Sequence, residues 1–117
     1  MGGDKAMRLA ELNDQFRTAL GICCGIPGMV VMTRGIAEID GAIKVRILQA
    51  VRSFSDFTQD NDPYGEHDFG CVEVSGAGKI FWKIDYYADD QLAFGSDAPE
   101  NPQRCFRVMT IMLAEEY

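Results

Sequence analysis

The sequence predicts an α+β domain in which three helices pack on one face of a mostly antiparallel sheet of three or four strands. Two segments rich in β-branched and aromatic residues follow each other across a glycine-containing turn, which is typical of a β-hairpin. Segments with apolar residues at helical spacing precede and follow this hairpin. The 117 residues, 47% of them hydrophobic, suit one soluble domain over residues 6–117, and we expect residues 1–5 to form a disordered tail.

The predicted element order is α-β-α-β-β-(β)-α, and it begins with a helix over residues 6–20. Four apolar residues recur on one face of this helix, and Gly21 ends it. The helix face is formed by Leu9, Leu12, Phe16 and Leu20. The segment GMVVMTRGI, which begins at Gly28, is rich in β-branched residues and predicts the first strand.

A second helix is predicted after Asp40, whose carboxylate can cap its first turn. Its apolar face is formed by Ile43, Ile47, Val51 and Phe54. The polar connection SFSDFTQDNDPYGE follows. Connections of about a dozen residues are uncommon in compact domains and are often functional.

The hairpin is predicted from DFGCVEVS and KIFWKIDYY, which flank Gly76-Ala77-Gly78. If the loop centres on Gly76 and Ala77, Val74 lies opposite Lys79. The same register places Asp68 directly opposite Asp85, with Lys83 on the same face as Asp85.

The last part of the chain predicts a short strand over residues 91–94 and a final helix. Asn101 is suited to the N-cap of this helix, and Pro102 to its first turn. Apolar residues then recur at helical spacing, namely Phe106, Met109 and Leu113.

Composition and charge limit the classes of function. The formal charge of −7 disfavours direct binding to nucleic acid, and no apolar run is long enough for a membrane helix. Four cysteines without a C-x-x-C pair give neither a disulfide framework nor zinc-ligand spacing, so we expect reduced thiols and a cytoplasmic location. The acidic surface serves solubility or binds a basic protein, such as a nucleic-acid-binding protein.

The stretch DNDPYGEHDFG, residues 60–70, holds the only histidine and is the first candidate site. It differs from a calcium-binding EF-hand loop, because Tyr64 and Cys71 occupy positions that require oxygen ligands. A looser metal site on oxygen ligands stays open. The simplest interpretation of the histidine is a ring that donates to a nearby carboxylate or carbonyl. The candidate binding residues are Asp60, Asn61, Asp62, Tyr64, Glu66 and His67.

The predicted hairpin register gives a second candidate site, that of a small metal-dependent hydrolase or nuclease-like enzyme. Asp68 and Asp85 would hold a divalent metal, the only cofactor considered, and Lys83 would stabilise developing negative charge. Glu66 or His67 would transfer a proton. The order Lys-Ile-Asp differs from the Asp/Glu-x-Lys order of such nucleases, and an ion cluster at the edge of the sheet is the alternative.

The runs FTQDNDPYGEHDFG, FWKIDYY, FGS and RVMTIMLAEEY together resemble a family of small bacterial proteins, domain of unknown function 3768. The resemblance extends from about Leu12 onward. It implies a single small cytosolic domain with no established activity, met mostly in proteobacteria and often on plasmids or other mobile elements. The residues that carry it are Asn61, Asp62, Pro63, Gly65, Glu66, His67, Asp68, Phe69, Gly70, Trp82, Lys83, Asp85 and Tyr86.

These observations favour a non-enzymatic protein-binding module. In the setting that the resemblance implies, it would be an accessory or anti-defence protein of a mobile element that occludes a basic, nucleic-acid-binding partner. The hydrolase is the alternative. A homodimer that buries an edge strand and the tyrosines is a third hypothesis.

Overall fold

The computed structural model describes residues 2–117 and confirms the α+β class. Within these residues, three α-helices and four strands form the domain. Short 3₁₀ helices occupy Pro102–Arg104 and Ala114–Glu116. In chain order the elements are α1 Gly2–Thr18, β1 Gly28–Met32, α2 Arg34–Ala37, α3 Gly41–Arg52, β2 Phe69–Val74, β3 Gly78–Tyr87 and β4 Phe106–Leu113.

The four strands form one sheet in the order β1-β4-β3-β2. β2 pairs antiparallel with β3, and β3 pairs antiparallel with β4. β1 pairs parallel with β4, so the sheet is mixed but mostly antiparallel, as predicted. β4, the last strand in the chain, therefore lies inside the sheet, and β1 and β2 form its two edges.

The predicted final helix is wrong, because residues 106–113 form β4. The Asn101 side chain does act as a cap, accepting a hydrogen bond of 3.0 Å from the Gln103 amide, but only of the 3₁₀ helix that ends at Arg104. β4 is buried on both faces, since Val108 and Met112 are buried as well as Met109 and Ile111, so its sequence lacks the alternation of a strand with one exposed face. A continuous apolar run also fits helical spacing by chance.

Other boundaries differ by smaller amounts. α1 begins at Gly2, four residues before the predicted start, so residues 2–5 of the predicted tail are helical; Met1 lies outside the described residues. The first strand ends at Met32, and part of the segment predicted as its continuation forms α2. The predicted strand over residues 91–94 does not form, and its neighbour Gly95 makes an isolated bridge to Tyr87.

The core lies between the helices and one face of the sheet. Trp82 is fully buried at its centre, together with Phe16 of α1 and Ile47 of α3. Gly70 lies opposite Trp82 in β2, where a Cβ atom would come within 2.5 Å of the indole nitrogen. The other sheet face carries an aromatic cluster, defined by ring contacts among Phe69, Phe81 and Tyr117.

The hairpin register differs from the prediction by one residue. Val74 pairs with Gly78, because the connecting loop is one residue shorter than predicted. The Ala77 amide donates to the Val74 carbonyl at 2.9 Å, and Gly76 and Gly78 adopt positive φ angles. When the pairing of two strands shifts by one residue, the side chains of one strand move to the opposite sheet face relative to those of its neighbour. The predicted facing pair of Asp68 and Asp85 is therefore wrong.

Candidate functional site

Two long loops meet at one end of the sheet, where β2 begins, β3 ends and β4 begins. The first acidic loop, residues 53–68, leads into β2, and its last carbonyl, that of Asp68, accepts from the Ile84 amide at 2.8 Å. The second acidic loop, residues 88–103, follows β3 and folds back so that the Ser96 amide donates to the Tyr86 carbonyl at 3.2 Å. We call this end of the molecule the acidic pole.

The acidic pole accounts for the negative charge of the chain. Its two loops contain nine of the 18 acidic residues and none of the 11 lysines and arginines, so the remaining chain carries a small positive charge. Basic residues outside the loops pair with two of the nine: Arg104 with Asp97 at 2.9 Å and Lys5 with Glu100 at 3.9 Å. The nine are Asp56, Asp60, Asp62, Glu66, Asp68, Asp89, Asp90, Asp97 and Glu100. The molecule therefore has a strongly negative end and a weakly positive remainder, an arrangement that orients a charged partner during approach.

The first acidic loop is held by hydrogen bonds within itself. Asn61 accepts from the Thr58 amide and donates to the Asp56 carbonyl, both at 2.7 Å. The buried carboxylate of Asp62 accepts from the amides of Glu66 at 3.2 Å and His67 at 3.3 Å. Asn61 and Asp62, both predicted as binding residues, therefore shape the loop, as Asn and Asp side chains commonly do in turns.

His67 connects the first acidic loop to α1. Its Nδ1 lies 3.0 Å from the carboxylate of Asp14, and its Nε2 lies 3.7 Å from that of Asp62. Its ring stacks on Phe57 with a centroid distance of 3.8 Å. The predicted carboxylate partner of the histidine is thus present. A general base needs a nitrogen within reach of a substrate proton, whereas both nitrogens of His67 face carboxylates.

A buried polar network lies beneath the acidic pole and is centred on Asn13 of α1. The Asn13 amide donates to the Tyr86 hydroxyl at 2.8 Å and to the Glu66 carbonyl at 2.9 Å, and its oxygen accepts from Arg107 at 2.8 Å. Arg107, fully buried, also donates to the Pro99 carbonyl of the second acidic loop at 2.7 Å. The two loops are thereby fixed to the same set of side chains.

Burial and like charges shift the pKa values of this region. Burial raises the pKa of the Tyr86 hydroxyl and lowers that of Arg107. Burial also raises the pKa of Asp68, and the neighbouring carboxylates, above all Glu66, raise it further. Ionised Asp68 is thus disfavoured in the folded protein, because it is partly buried and because other negative charges surround it.

Each acidic loop exposes one aromatic side chain. Tyr64 in the first loop is 80% exposed, and Phe94 in the second is 78% exposed. Exposed carboxylates accompany them, including Asp60 and Asp90. Aromatic side chains are enriched at the centres of protein interfaces, where they contribute much of the binding energy.

The residues of the hydrolase hypothesis are not arranged as that hypothesis requires. Lys83 forms an ion pair of 3.1 Å with Asp85 on the sheet face away from the helices. Asp68 pairs across the hairpin with Ile84 instead of Asp85. Within residues 2–117 no group of three or more His, Cys, Asp or Glu side chains is placed to hold a metal ion.

Residues 32–116 match the model of a family described as protein of unknown function (DUF3768). The chain belongs to this family. No curated protein and no solved structure gives a significant match to this DUF3768 protein. Within residues 2–117, none of its helices combines the length and apolar character needed to cross a membrane.

The DUF3768 match contains both acidic loops, Tyr86 and Arg107, whereas Asn13 and Asp14 precede it. Neither of these two α1 residues was predicted as a site residue from the sequence. Asn13 lies four positions after Leu9 on the apolar face of the helix, and a polar residue on such a face needs a buried partner. That spacing was the feature of the sequence from which a buried role of Asn13 could have been predicted.

Arg17 on α1 was also missed. Its buried guanidinium donates to the carbonyls of Val51 at 3.0 Å and Phe54 at 2.8 Å, at the end of α3. It also pairs with Asp14 at 3.0 Å. Basic side chains commonly satisfy the last carbonyls of a helix. Here Arg17 fixes the start of the first acidic loop of this DUF3768 protein.

Proposed function

We propose that this DUF3768 protein is a non-enzymatic protein-binding module whose acidic pole binds a basic surface of a partner protein. The observation that carries the proposal is that both acidic loops lie at the same end of the sheet, and each exposes an aromatic side chain. Carboxylates steer and orient a basic partner, and aromatic anchors supply contact area.

The ordered conformation of the two acidic loops supports this function. The Asn61 and Asp62 hydrogen bonds, the contact of His67 with Asp14 and the Asn13 network hold the loops in one conformation. A loop that is ordered before binding loses little conformational entropy when it binds, so more of the contact energy appears as affinity.

The crowding of carboxylates around Asp68 also supports binding of a cationic surface. Negative charges placed close together lower the stability of the folded protein, and such costs are expected at functional sites. A lysine or arginine from a partner would offset the repulsion. Partner binding would then favour the ionised form of Asp68 and lower its pKa.

The partner that fits best is a protein with a basic, nucleic-acid-binding surface. Carboxylates of the pole would occupy the side chains that otherwise contact phosphates, so binding would occlude that surface. The resemblance to a family often carried on mobile elements supports an accessory or anti-defence role. Nucleic acid itself would be repelled by the acidic pole.

Affinity capture from a bacterial host lysate at low and high salt tests the proposal. We expect the protein to retain a basic partner in stoichiometric amount at low salt and to lose it at high salt. Asp60→Lys combined with Asp90→Lys should reduce capture at least about tenfold, a loss of about 1.4 kcal/mol. Tyr64→Ala should reduce capture without changing its salt dependence.

The matched control combines Glu38→Lys with Glu115→Lys. It makes the same change in net charge on exposed residues at the opposite end of the sheet. We expect it to retain the partner. Equal loss of capture in both double variants would show that net charge, not the acidic pole, governs binding. Absence of any stoichiometric partner at low salt would also contradict the proposal.

A further inference from the structure

The outer edge of β2 is a row of backbone groups that face away from the sheet. The hydrogen bond from the Ile84 amide to the Asp68 carbonyl shows that even-numbered residues of this region face β3. In an antiparallel pair the intervening residues point their N–H and C=O groups outward. Phe69, Cys71 and Glu73 are these residues, and β2 is the last strand on this side of the sheet.

This edge lacks most features that protect edge strands from pairing. Residues 69–74 contain no proline and no lysine, and they pair with β3 residue for residue, without a bulge. Cys71 and Glu73 are exposed, and Glu73 is the only charged residue in the strand. An extended strand of suitable charge can therefore add to β2.

We propose that the strand that pairs with this edge is β2 of a second copy of the chain. The two β2 strands run antiparallel about a two-fold axis at Cys71 and join the two sheets into one. Cys71 then lies opposite its own equivalent, and Phe69 lies opposite Glu73 of the other copy. An interface of this kind is self-complementary, as two-fold symmetry requires. It does not depend on the function proposed for the acidic pole.

The charge distribution favours a second copy in this orientation. β2 begins at the acidic pole and ends at the hairpin turn, so antiparallel pairing places the pole of each copy beside the turn of the other. Two basic residues flank that turn. Lys79 follows it and lies opposite Glu73, and the Arg46 guanidinium reaches within 3.8 Å of the Cβ position of Gly76, so these three side chains leave the turn with a net positive charge. Parallel pairing would instead place the two acidic poles side by side.

The aromatic cluster adds apolar surface next to this edge. Phe69 packs against Phe81 at 5.4 Å and against Tyr117 at 5.7 Å between ring centroids, and Tyr117 is 74% exposed. Pairing over residues 69–73 alone is a small interface. Interfaces below about 1,000 Å² are typically weak, so we expect a dimer whose population depends on concentration.

Cys71→Pro tests the interface directly. Proline removes an N–H that points away from β3, so the hairpin ladder is kept while the edge is blocked. Light scattering over about 10–500 μM, a range that detects micromolar affinities, should show the wild type and the control Cys71→Ser approaching twice the monomer mass. Cys71→Pro should stay monomeric, with unchanged circular dichroism. Cys71→Lys, which places two like charges at the axis, should also be monomeric.

Oxidative cross-linking gives the second measurement. Residues that exchange both hydrogen bonds in an antiparallel pair have Cα atoms about 5.5 Å apart, which a disulfide can span. In a Cys23→Ser, Cys24→Ser background, mild oxidation should trap a covalent dimer through Cys71, and a further Cys71→Ser change should abolish it. A wild type that is monomeric over the whole range, or dimerisation that survives both Cys71→Pro and Cys71→Lys, would overturn the proposal. Partner capture by Cys71→Pro would still report on the acidic pole.

Discussion

The carboxylate of Asp14 lies 3.0 Å from Nδ1 of His67, so the first helix of the chain fixes a loop that lies 53 residues further along. The same carboxylate pairs with Arg17, which holds the end of α3. One side chain of α1 thus positions both ends of the first acidic loop, and the loop depends on this helix for its conformation.

Asp14→Ala should loosen this loop. Removing the acceptor leaves His67 and Arg17 each without one hydrogen bond, and we expect a loss of about 1–2 kcal/mol in the free energy of unfolding. Hydrogen exchange should quicken over residues 57–67 in particular. Asp14→Asn keeps an acceptor oxygen and is the control. Unchanged exchange in the loop would contradict the role given to Asp14.

Asn13→Ala should be more damaging than Asp14→Ala. It removes all three Asn13 hydrogen bonds and leaves the buried guanidinium of Arg107 with fewer partners. Removing a partner of a buried charge typically lowers the free energy of unfolding by about 3–5 kcal/mol. Urea denaturation measures the loss. Gln15→Ala, an exposed residue on the same helix, should change stability by less than about 0.5 kcal/mol. A loss of similar size in both variants would contradict the network.

Asp68→Asn should stabilise the protein at neutral pH and weaken binding of a basic partner. The folded-state pKa of Asp68 is raised above 3.8, so its ionised form disfavours folding. The gain in melting temperature should be full above the raised pKa, shrink as the pH falls and vanish below the ordinary pKa. Asp90→Asn, an exposed change in the second acidic loop, should give a smaller gain. A destabilised Asp68→Asn protein at pH 7 would contradict the expectation that burial and neighbouring carboxylates disfavour ionised Asp68.

Glu116→Gln should show the opposite pH dependence. The Glu116 carboxylate accepts from the Thr33 hydroxyl and from the amides of Leu113 and Gly35, and these bonds lower its pKa below 4.5. Its stabilising effect is present above the ordinary pKa and is lost as the pH falls through the depressed value. The variant should melt below the wild type at pH 7 and match it at strongly acidic pH. Glu115→Gln is the exposed control.

Mg²⁺, Mn²⁺, Ca²⁺ and Zn²⁺ should leave the melting temperature unchanged. A metal that binds only the folded protein raises its melting point by mass action, and Asp68 and Asp85 are not placed opposite each other. Thermal melting with each ion, against a chelator control, measures this. A saturable shift that disappears in Asp68→Asn would restore the hydrolase hypothesis.

Local sequence patterns predicted the elements whose apolar residues lie on one face. α1, α3 and the hairpin each have one apolar face and recognisable ends, and the structure contains all three. β4 could not be distinguished from a helix, because burial on both faces removed its alternation. The hairpin register depended on whether three or four residues form the turn, and glycines at positions 76 and 78 allow both.

The candidate site was only partly visible in the sequence. Its charge, its aromatic residues and the carboxylate contact of His67 follow from composition and side-chain chemistry. The side chains that hold the first acidic loop could not be predicted in this way, because Asn13 and Asp14 contact it across more than fifty sequence positions. Such contacts arise from packing of α1 on the sheet, which no local pattern specifies.

The interior position of β4 has a consequence for how the protein matures during translation. Until residues 106–113 emerge from the ribosome, β1 has no neighbouring strand and β3 has only β2 beside it. A growing chain that still lacks residues 106–113 therefore exposes the apolar strand edges that β4 covers in the folded protein. We expect the sheet to assemble only after β4 has emerged, and until then the edges of β1 and β3 are the parts of the chain most exposed to aggregation.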